Sequence, residues 1–487
     1  MKKVKKLPSG IDGFDIISMG GIPKNRMTLI SGTPGSGKTI FCAQFLVGGI
    51  INSNEPAVFV TFEESPKDII INMENFGWDI QQYLDSNLWK FVDVSPRIDE
   101  DFLIKGDYDL SGLIVRIKAA VEEVGAKRLA LDSISVLFNS FPDSDIIRKE
   151  IIRLKSTLKS LSVTSLVTSE RYEELGGGNS HYDILDFVSD NVLIFKNSMF
   201  EEYRRRTIEI MKYRGTAHKK GQHSFTIKDN RGITVISFDR NPNKQIFKRK
   251  RKSTGMNTLN EMTGGGFFEG SSVLVSGQTG SGKTLLALSM LNGSLQEGEK
   301  CLMFNFEESR DQILQKARTW DIDLMQAEKN GNLKMICKYP EAEGIEDLIV
   351  DMKTSIQFFN PDRIFIDSIS ALERITTKLT FRESLINLFL LMREENKIAV
   401  FTTTAPTFSG SFFDSEKHIS TLSDAIILLR YFEREGKMIR GIAIMKMRDS
   451  AHSKQFLEYS IDDRGFHILL PIEGNTGIFD SFRIEKI

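Results

Sequence analysis

The sequence predicts an α/β protein of two tandem domains, each a mostly parallel β-sheet flanked by helices, on three observations. The first is length: 487 residues exceed one ordinary core and suit two domains of roughly 240 residues each. The second is a glycine-rich octapeptide present twice, GTPGSGKT at residues 32–39 and GQTGSGKT at residues 277–284, each following a short apolar run and opening a helical pattern. The third is a recurrence of other polar residues in the same order. Lys38 and Lys283 stand 245 residues apart, Glu63 and Glu307 244, Asp132 and Asp367 235, and Lys212 and Lys446 234. Order and spacing that persist across half a chain mark an internal repeat.

Taken in order, MTLIS at residues 27–31 reads as a buried strand entering the first octapeptide, and the segment from Lys38 towards Gly48 as the helix leaving it. AVFVTF (57–62) and RLALD (128–132) are apolar runs that end at acidic residues, with helix-like segments between them. Ile147, Ile151, Leu154, Leu158 and Leu161 lie at helical spacing over 145–161, and VTSLVT (163–168) reads as the next strand. VLIF (192–195) and TIEIMKY (207–213) are expected as late strands of the same sheet. Residues 241–253, NPNKQIFKRKRKS, are polar, strongly basic and aperiodic, and read as a linker between a domain at 1–240 and a second at 254–470. The second half repeats the pattern through SVLVS, LMFNF, RIFID, IAVFTT and AIILL, leaving a short tail at 471–487.

Composition sets the broad class. Hydrophobic residues at 40% and charged residues at 26% describe a globular chain with apolar side chains enough for two cores. A formal charge of -1 gives no general attraction to nucleic acid or to anionic lipid. The three cysteines, Cys42, Cys301 and Cys337, are scattered without C-x-x-C spacing, which argues against a disulfide framework or a structural zinc site and for a reducing cytoplasm. The basic start MKKVKKLPSGIDGFD is not followed by an apolar core segment, and no run of about 18 apolar residues occurs, so neither export nor a membrane span is expected.

Both octapeptides fit G-x-x-x-x-G-K-[ST], the P-loop, in which backbone N–H groups curl around nucleotide phosphates and the lysine reaches the terminal ones. The expected ATP-binding residues are Gly32, Thr33, Pro34, Gly35, Ser36, Gly37, Lys38 and Thr39, and Gly277, Gln278, Thr279, Gly280, Ser281, Gly282, Lys283 and Thr284. Thr39 with Asp132, and Thr284 with Asp367, are expected to hold Mg2+, because each aspartate closes a later strand. At the end of the second strand of each half stands a glutamate pair, Glu63 with Glu64 and Glu307 with Glu308. A carboxylate beside the terminal phosphate can take or orient a proton, so Glu63 and Glu307 are expected as bases and their neighbours as partners.

A third pair is KYRGTAH at 212–218 and KMRDSAH at 446–452. Lys-x-Arg on a strand puts both cations on one face. In ring ATPases such cations point at a neighbour's phosphate, worth roughly 10^3 to 10^5 in rate. Lys212, Arg214 and His218, and Lys446, Arg448 and His452, are therefore expected to act in trans in a head-to-tail ring. The halves differ at one place: Ser420 and Thr421 in HISTLSD face Asp186 and Phe187 in ILDFVSD. Adjacent hydroxyls exist in the second half only. Either they belong to a polar turn, or they accept a phosphoryl group from ATP on the adjoining subunit, each phosphate adding about -1.5 to -2 charge.

With these residues in view the chain resembles the KaiC family of the RecA-like superfamily. The matching pieces are GTPGSGKT, FVTFEES, DLSGLI, ALDSIS and KYRGTAHKKG in the first half, and EMTGGGFF, GQTGSGKT, FEES, IDSIS, HISTLSDAIILL and KMRDSAH in the second. The resemblance implies two RecA-like P-loop NTPase domains in a homohexameric double ring that binds ATP at subunit interfaces. It further implies slow ATPases in the N-terminal ring and an autokinase and autophosphatase in the C-terminal ring, with phosphosites at Ser420 and Thr421, a base at Glu307 and a regulatory or timing role. A KaiB-like partner docking on the N-terminal ring is also implied. Clock-type members continue past a segment like DSFR (480–483) into a longer tail grasped by a KaiA-like activator, whereas this sequence stops at Ile487, so KaiA-type control is not expected. Ser415 and Glu416 stand where the family tends to have Thr-Asp.

Two other readings stay open at the level of sequence. A nucleic-acid-stimulated RecA-like ATPase would grip phosphates with Arg204, Arg205 and Arg206 or with the basic run at 248–252, although neither run is interleaved with aromatics. A phosphorylation-dependent scaffold would use hydrolysis only to set its conformation.

Overall fold

The computed structural model describes residues 4–95, 110–138, 144–171, 180–200, 203–237, 250–404, 421–434 and 436–472. The chain divides into two compact units, Met1–Asp239 and Arg240–Ile487. The first contains a nine-stranded sheet: β1 Met27–Gly32, β2 Ala57–Thr61, β3 Trp89–Asp93, β4 Arg128–Asp132, β5 Thr164–Glu170, β6 Asn191–Phe200, β7 Tyr203–Tyr213, β8 Gln222–Lys228 and β9 Gly232–Val235. Its order is β9-β8-β7-β6-β1-β5-β4-β2-β3. Strands β3 to β6 through the centre are parallel, and β7, β8 and β9 extend the sheet antiparallel.

The second unit repeats this order as β12-β11-β13-β14-β10-β15-β16-β17-β18. Here β10 is Ser272–Gly277, β11 Cys301–Asn305, β12 Leu333–Cys337, β13 Arg363–Asp367, β14 Ile398–Thr404, β15 Ala425–Arg434, β16 Lys437–Met447, β17 Leu457–Asp462 and β18 Gly465–Pro471. The expected α/β class with a mostly parallel sheet is thus found in both units. Sequence reading had not resolved β3, β8 or β9. QHSFTIK in β8 has no continuous apolar run, because only Phe225 and Thr226 of that strand are buried.

The central strands are buried on both faces, as their near-continuous apolar runs require; every residue of β1 and β10 is buried. Beside them lie the P-loop helices, Lys38–Ser53 and Lys283–Gln296. The first is seated by a chain of edge-to-face rings, Phe14 on Phe41 at 5.1 Å, Phe41 on Phe195 at 5.2 Å and Phe195 on Phe225 at 5.4 Å. Such pairs each add about 0.5–1.5 kcal/mol beyond the area they bury.

At the start of β4, Arg128 is buried between Glu55, 2.8 Å from its Nε, and the Phe45 ring, 4.5 Å from its guanidinium carbon. Arg363 at the start of β13 repeats this with Glu299 at 3.0 Å. Arg251 and Lys252, read from sequence as the end of a linker, form a short strand antiparallel to Phe267–Phe268. No helix among the described residues is long and apolar enough to cross a membrane.

Candidate nucleotide sites

Each P-loop joins the carboxyl end of the sheet's central parallel strand to the helix behind it, where strand ends and a helix N-terminus converge. Gly37 and Gly282 cap these helices with φ of 89° and 88° and make no side-chain cap bond. A Cβ on Gly282 would lie 2.5 Å from Ile461 Cδ1, and one on Gly37 2.9 Å from Ile227 Cδ1. The first-turn N–H groups therefore point into the loop with the dipole's positive end. Lys38 Nζ donates to the carbonyls of Gly32 at 3.0 Å and Thr33 at 3.1 Å, and Lys283 Nζ to Gly277 at 2.9 Å and Gln278 at 3.0 Å. Burial lowers the pKa of both lysines against the pull of nearby acids.

The residues present fit a magnesium nucleotide. Ser36 Oγ and Ser281 Oγ are buried inside the loops without a hydrogen-bond partner, and the donors beside them are the hard oxygens that Mg2+ prefers. Asp132 hydrogen-bonds Thr39 and Thr168. Asp367 accepts from Thr284 at 2.8 Å, from Asn305 at 3.3 Å and from Thr402. Burial raises both aspartates above the ordinary carboxylate value, and these hydroxyl bonds oppose it.

The two glutamate pairs stand in different surroundings. Glu63 is raised by burial and then by Glu170 and Asp132, with a bond to Ser133 and the charge of Lys38 opposing. Glu170 ends β5 opposite Gly32, and its counterpart opposite Gly277 is Thr404. Glu307 Oε1 accepts from Ser368 at 2.8 Å and lies 3.8 Å from Arg374, which also reaches Glu341 at 3.6 Å. Glu64 binds Asn72 at 3.1 Å, and Glu308 pairs with Lys316. The second glutamate of each pair thus turns towards its following helix.

The Lys-x-Arg pairs lie at the other end of the sheet. Asp190 N–H donates to Met27 O and Arg214 N–H to Asp190 O; likewise Asp424 N–H donates to Ser272 O and Arg448 N–H to Asp424 O. Met27 and Ser272 each precede the P-loop glycine by five residues, roughly 16 Å at the strand rise. These cations do not reach the phosphate loop of their own unit. Lys212 Nζ donates to the carbonyls of Asp186, Phe187 and Ser189, and Lys446 Nζ to that of Ser423. Burial, then the adjacent arginine, lowers the pKa of both lysines. Arg214 donates to Phe187 O at 3.4 Å and Arg448 to Thr421 O, which makes Phe187 and Thr421 structural counterparts. Thr421 is exposed at the amino end of the sheet, and Ser420 lies outside the described residues. His218 Nδ1 is 3.0 Å from Lys219 O, and His452 Nδ1 is buried without a partner.

Sequence reasoning missed Ser133, Ser368, Thr168, Thr402, Glu170 and Asn305. The only local signals were the serine following each site aspartate and the polar residue ending each apolar run. The arginine run of the nucleic-acid reading is engaged near the first P-loop: Arg206 donates to Gly35 O at 3.3 Å, Arg204 to Asn197 O at 3.2 Å and Arg205 to Ser224 Oγ. In the basic run before the second unit, Arg251 binds the carbonyls of Thr263 and Gly266, and Lys252 pairs with Glu299 and Asp362.

Comparison with known proteins adds a second line of observation. The family model described as "ATPase: KaiC" matches residues 7–240 and again 252–473. The chain is 47% identical over 475 residues to the circadian clock protein KaiC3 of a Synechocystis species, covering 98% of this chain and 94% of that protein. It is 45% identical over 466 residues to the circadian clock oscillator protein KaiC of Thermostichus vulcanus, 96% of this chain and 89% of the relative. It is 45% identical over 476 residues to that of Acaryochloris marina, 98% and 91% respectively.

Proposed function

The chain belongs to the KaiC family of ATPases, and from that premise we propose that its first unit hydrolyses ATP while its second transfers phosphate to Ser420 and Thr421 of a neighbouring copy, in a head-to-tail ring. The observation that carries this reading is the polarity of the sheets. In each unit the P-loop sits at the carboxyl end and the Lys-x-Arg at the amino end, with Thr421 beside it in the second. A site that uses such cations and an acceptor then draws them from outside its own unit, in this reading from another copy. A closed ring of such heterologous contacts is the assembly that satisfies every copy, and six copies is the number the family resemblance suggests.

In the first unit, Glu63 orients a water and takes its proton as the oxygen attacks the γ-phosphorus, with ADP as leaving group. In the second, Glu307 takes the proton of the seryl or threonyl hydroxyl, oxygen bonds to the γ-phosphorus and the bond to ADP breaks. Mg2+, held by Thr39 and Asp132 or by Thr284 and Asp367, would neutralise charge on the phosphates during transfer. Lys38 and Lys283 orient the terminal phosphate, and Lys212, Arg214, Lys446 and Arg448 stabilise the charge that develops on the neighbour's. Removal of the phosphoryl groups at the same second site completes a reversible switch at the subunit boundary.

The test is incubation with γ-labelled ATP and Mg2+ followed by mapping of the labelled peptide. Label is expected on the peptide carrying residues 420 and 421, retained in Glu63→Gln and reduced by about 10^2 to 10^4 in Glu307→Gln. Equal loss in both variants, or no label in the unaltered protein, would contradict the reading.

A further inference from the structure

One buried side chain makes a link in the second site that its counterpart in the first does not make. Asn305 ends β11 and is fully buried. In register it lies beside Asp367 on the neighbouring strand. Its Nδ2 donates to Asp367 Oδ2 at 3.3 Å, the same oxygen that accepts from Thr284. Its Oδ1 accepts from the backbone N–H of Glu307 at 3.0 Å and of Glu308 at 2.6 Å. The amide serves both needs here. Two backbone N–H groups need an acceptor and a carboxylate needs a donor, and Asn offers both on one rigid plane.

The same register position in the first unit is Thr61, beside Asp132. Thr61 Oγ1 donates to Glu64 O at 2.5 Å. That hydroxyl has one proton, so the bond to Glu64 leaves no donor for Asp132. In the first unit, then, this strand end does not bridge to the aspartate.

We propose that Asn305 is a positioning residue that couples the carboxylate of Asp367 to the backbone carrying Glu307, so that this strand end links magnesium binding to alignment of the base in the second site, a link that Thr61 does not make in the first. This rests on the roles given above to Asp367 and Glu307. The donated N–H fixes which way the Asp367 carboxylate faces, and a shift of that carboxylate is passed through one planar amide to the Glu307 and Glu308 backbone. Groups of this kind behind a metal ligand typically change metal affinity by about 10- to 100-fold when removed.

The experiment is peptide-resolved hydrogen exchange on the full chain with an ATP analogue bridged by a β,γ-imido group, which binds without turnover. Protection of residues 277–284 and of residues 32–39 is followed in one sample as Mg2+ is titrated. In Asn305→Thr, which installs the residue the first unit already accommodates, the Mg2+ midpoint for 277–284 is expected to rise about 10-fold. The midpoint for 32–39 stays unchanged, as does the analogue concentration for half-protection at saturating Mg2+. The amides of Glu307 and Glu308 exchange faster in this variant and remain protected in Asn305→Asp, which keeps the acceptor.

An unchanged Mg2+ midpoint at 277–284 overturns the proposal. So does a parallel loss of Mg2+ and analogue affinity, which marks a merely structural role. The readout needs no phosphoryl transfer: absence of label on residues 420 and 421 with the Mg2+ shift intact would refute the kinase reading and leave the role of Asn305 standing.

Discussion

Glu63 and Glu307 close equivalent strands, yet the groups around them set different working conditions. Burial, and then the charges of Glu170 and Asp132, hold the Glu63 carboxyl above its ordinary value. If Glu63 is the base of the first unit it works only when ionised, and the hydrolytic rate should then fall away on the acid side at a higher pH than an ordinary carboxylate dictates. Glu170→Gln removes one of the like charges. It is expected to move the acid limb of the pH-rate profile, measured in a Glu307→Gln background, to lower pH. An unmoved limb would mean that Glu170 does not act on the ionisation of Glu63. At the second site Thr404 takes the place of Glu170, and Arg374 lies beside Glu307. A second difference between sites built on one motif therefore comes from the next strand end.

At the scale of elements, what was legible in the sequence was whatever a single segment carries. The P-loops, the acids at strand ends and the Lys-x-Arg pairs each sit within a few residues of an apolar run, and the runs became strands β1, β2, β4, β5 and β6 and their repeats. Ser133, Ser368, Thr168, Thr402, Glu170 and Asn305 were not legible as site residues, because parallel pairing brings them together across tens to about a hundred positions of chain. Register, not spacing, makes them neighbours. The buried arginines were missed for a related reason: Arg128 and Arg363 look like surface charges at the start of strands until Glu55 and Glu299 are seen to meet them. Removing one partner leaves a buried charge uncompensated, which typically costs about 3–5 kcal/mol. Glu299→Ala is therefore expected to lower the thermal unfolding midpoint markedly, as is Glu55→Ala, while exposed Lys118→Ala, whose Glu122 partner is 3.9 Å away, should leave it almost unchanged. Differential scanning calorimetry separates these outcomes.

For the whole molecule, sheet polarity has a kinetic consequence. If Lys212 and Arg214 stabilise charge on a neighbour's phosphate, a monomeric preparation should hydrolyse ATP slower than the assembled protein by roughly 10^3-fold or more, and the rate should climb with protein concentration as copies associate. Hydrolysis at the full rate by isolated monomers would remove the trans role from these cations. The second P-loop is proposed to serve hydroxyls on another copy, and subunit mixing distinguishes this from transfer within one chain. One variant, Lys283→Ala, keeps Ser420 and Thr421 but lacks the lysine of the second P-loop; the other, Ser420→Ala with Thr421→Ala, keeps the P-loop but lacks the proposed acceptors. Co-expressed, tagged apart and incubated with γ-labelled ATP and Mg2+, the mixture should carry label on the Lys283→Ala chain, and neither variant alone should be labelled. A mixture without label on that chain, despite demonstrated co-assembly, would contradict transfer between subunits.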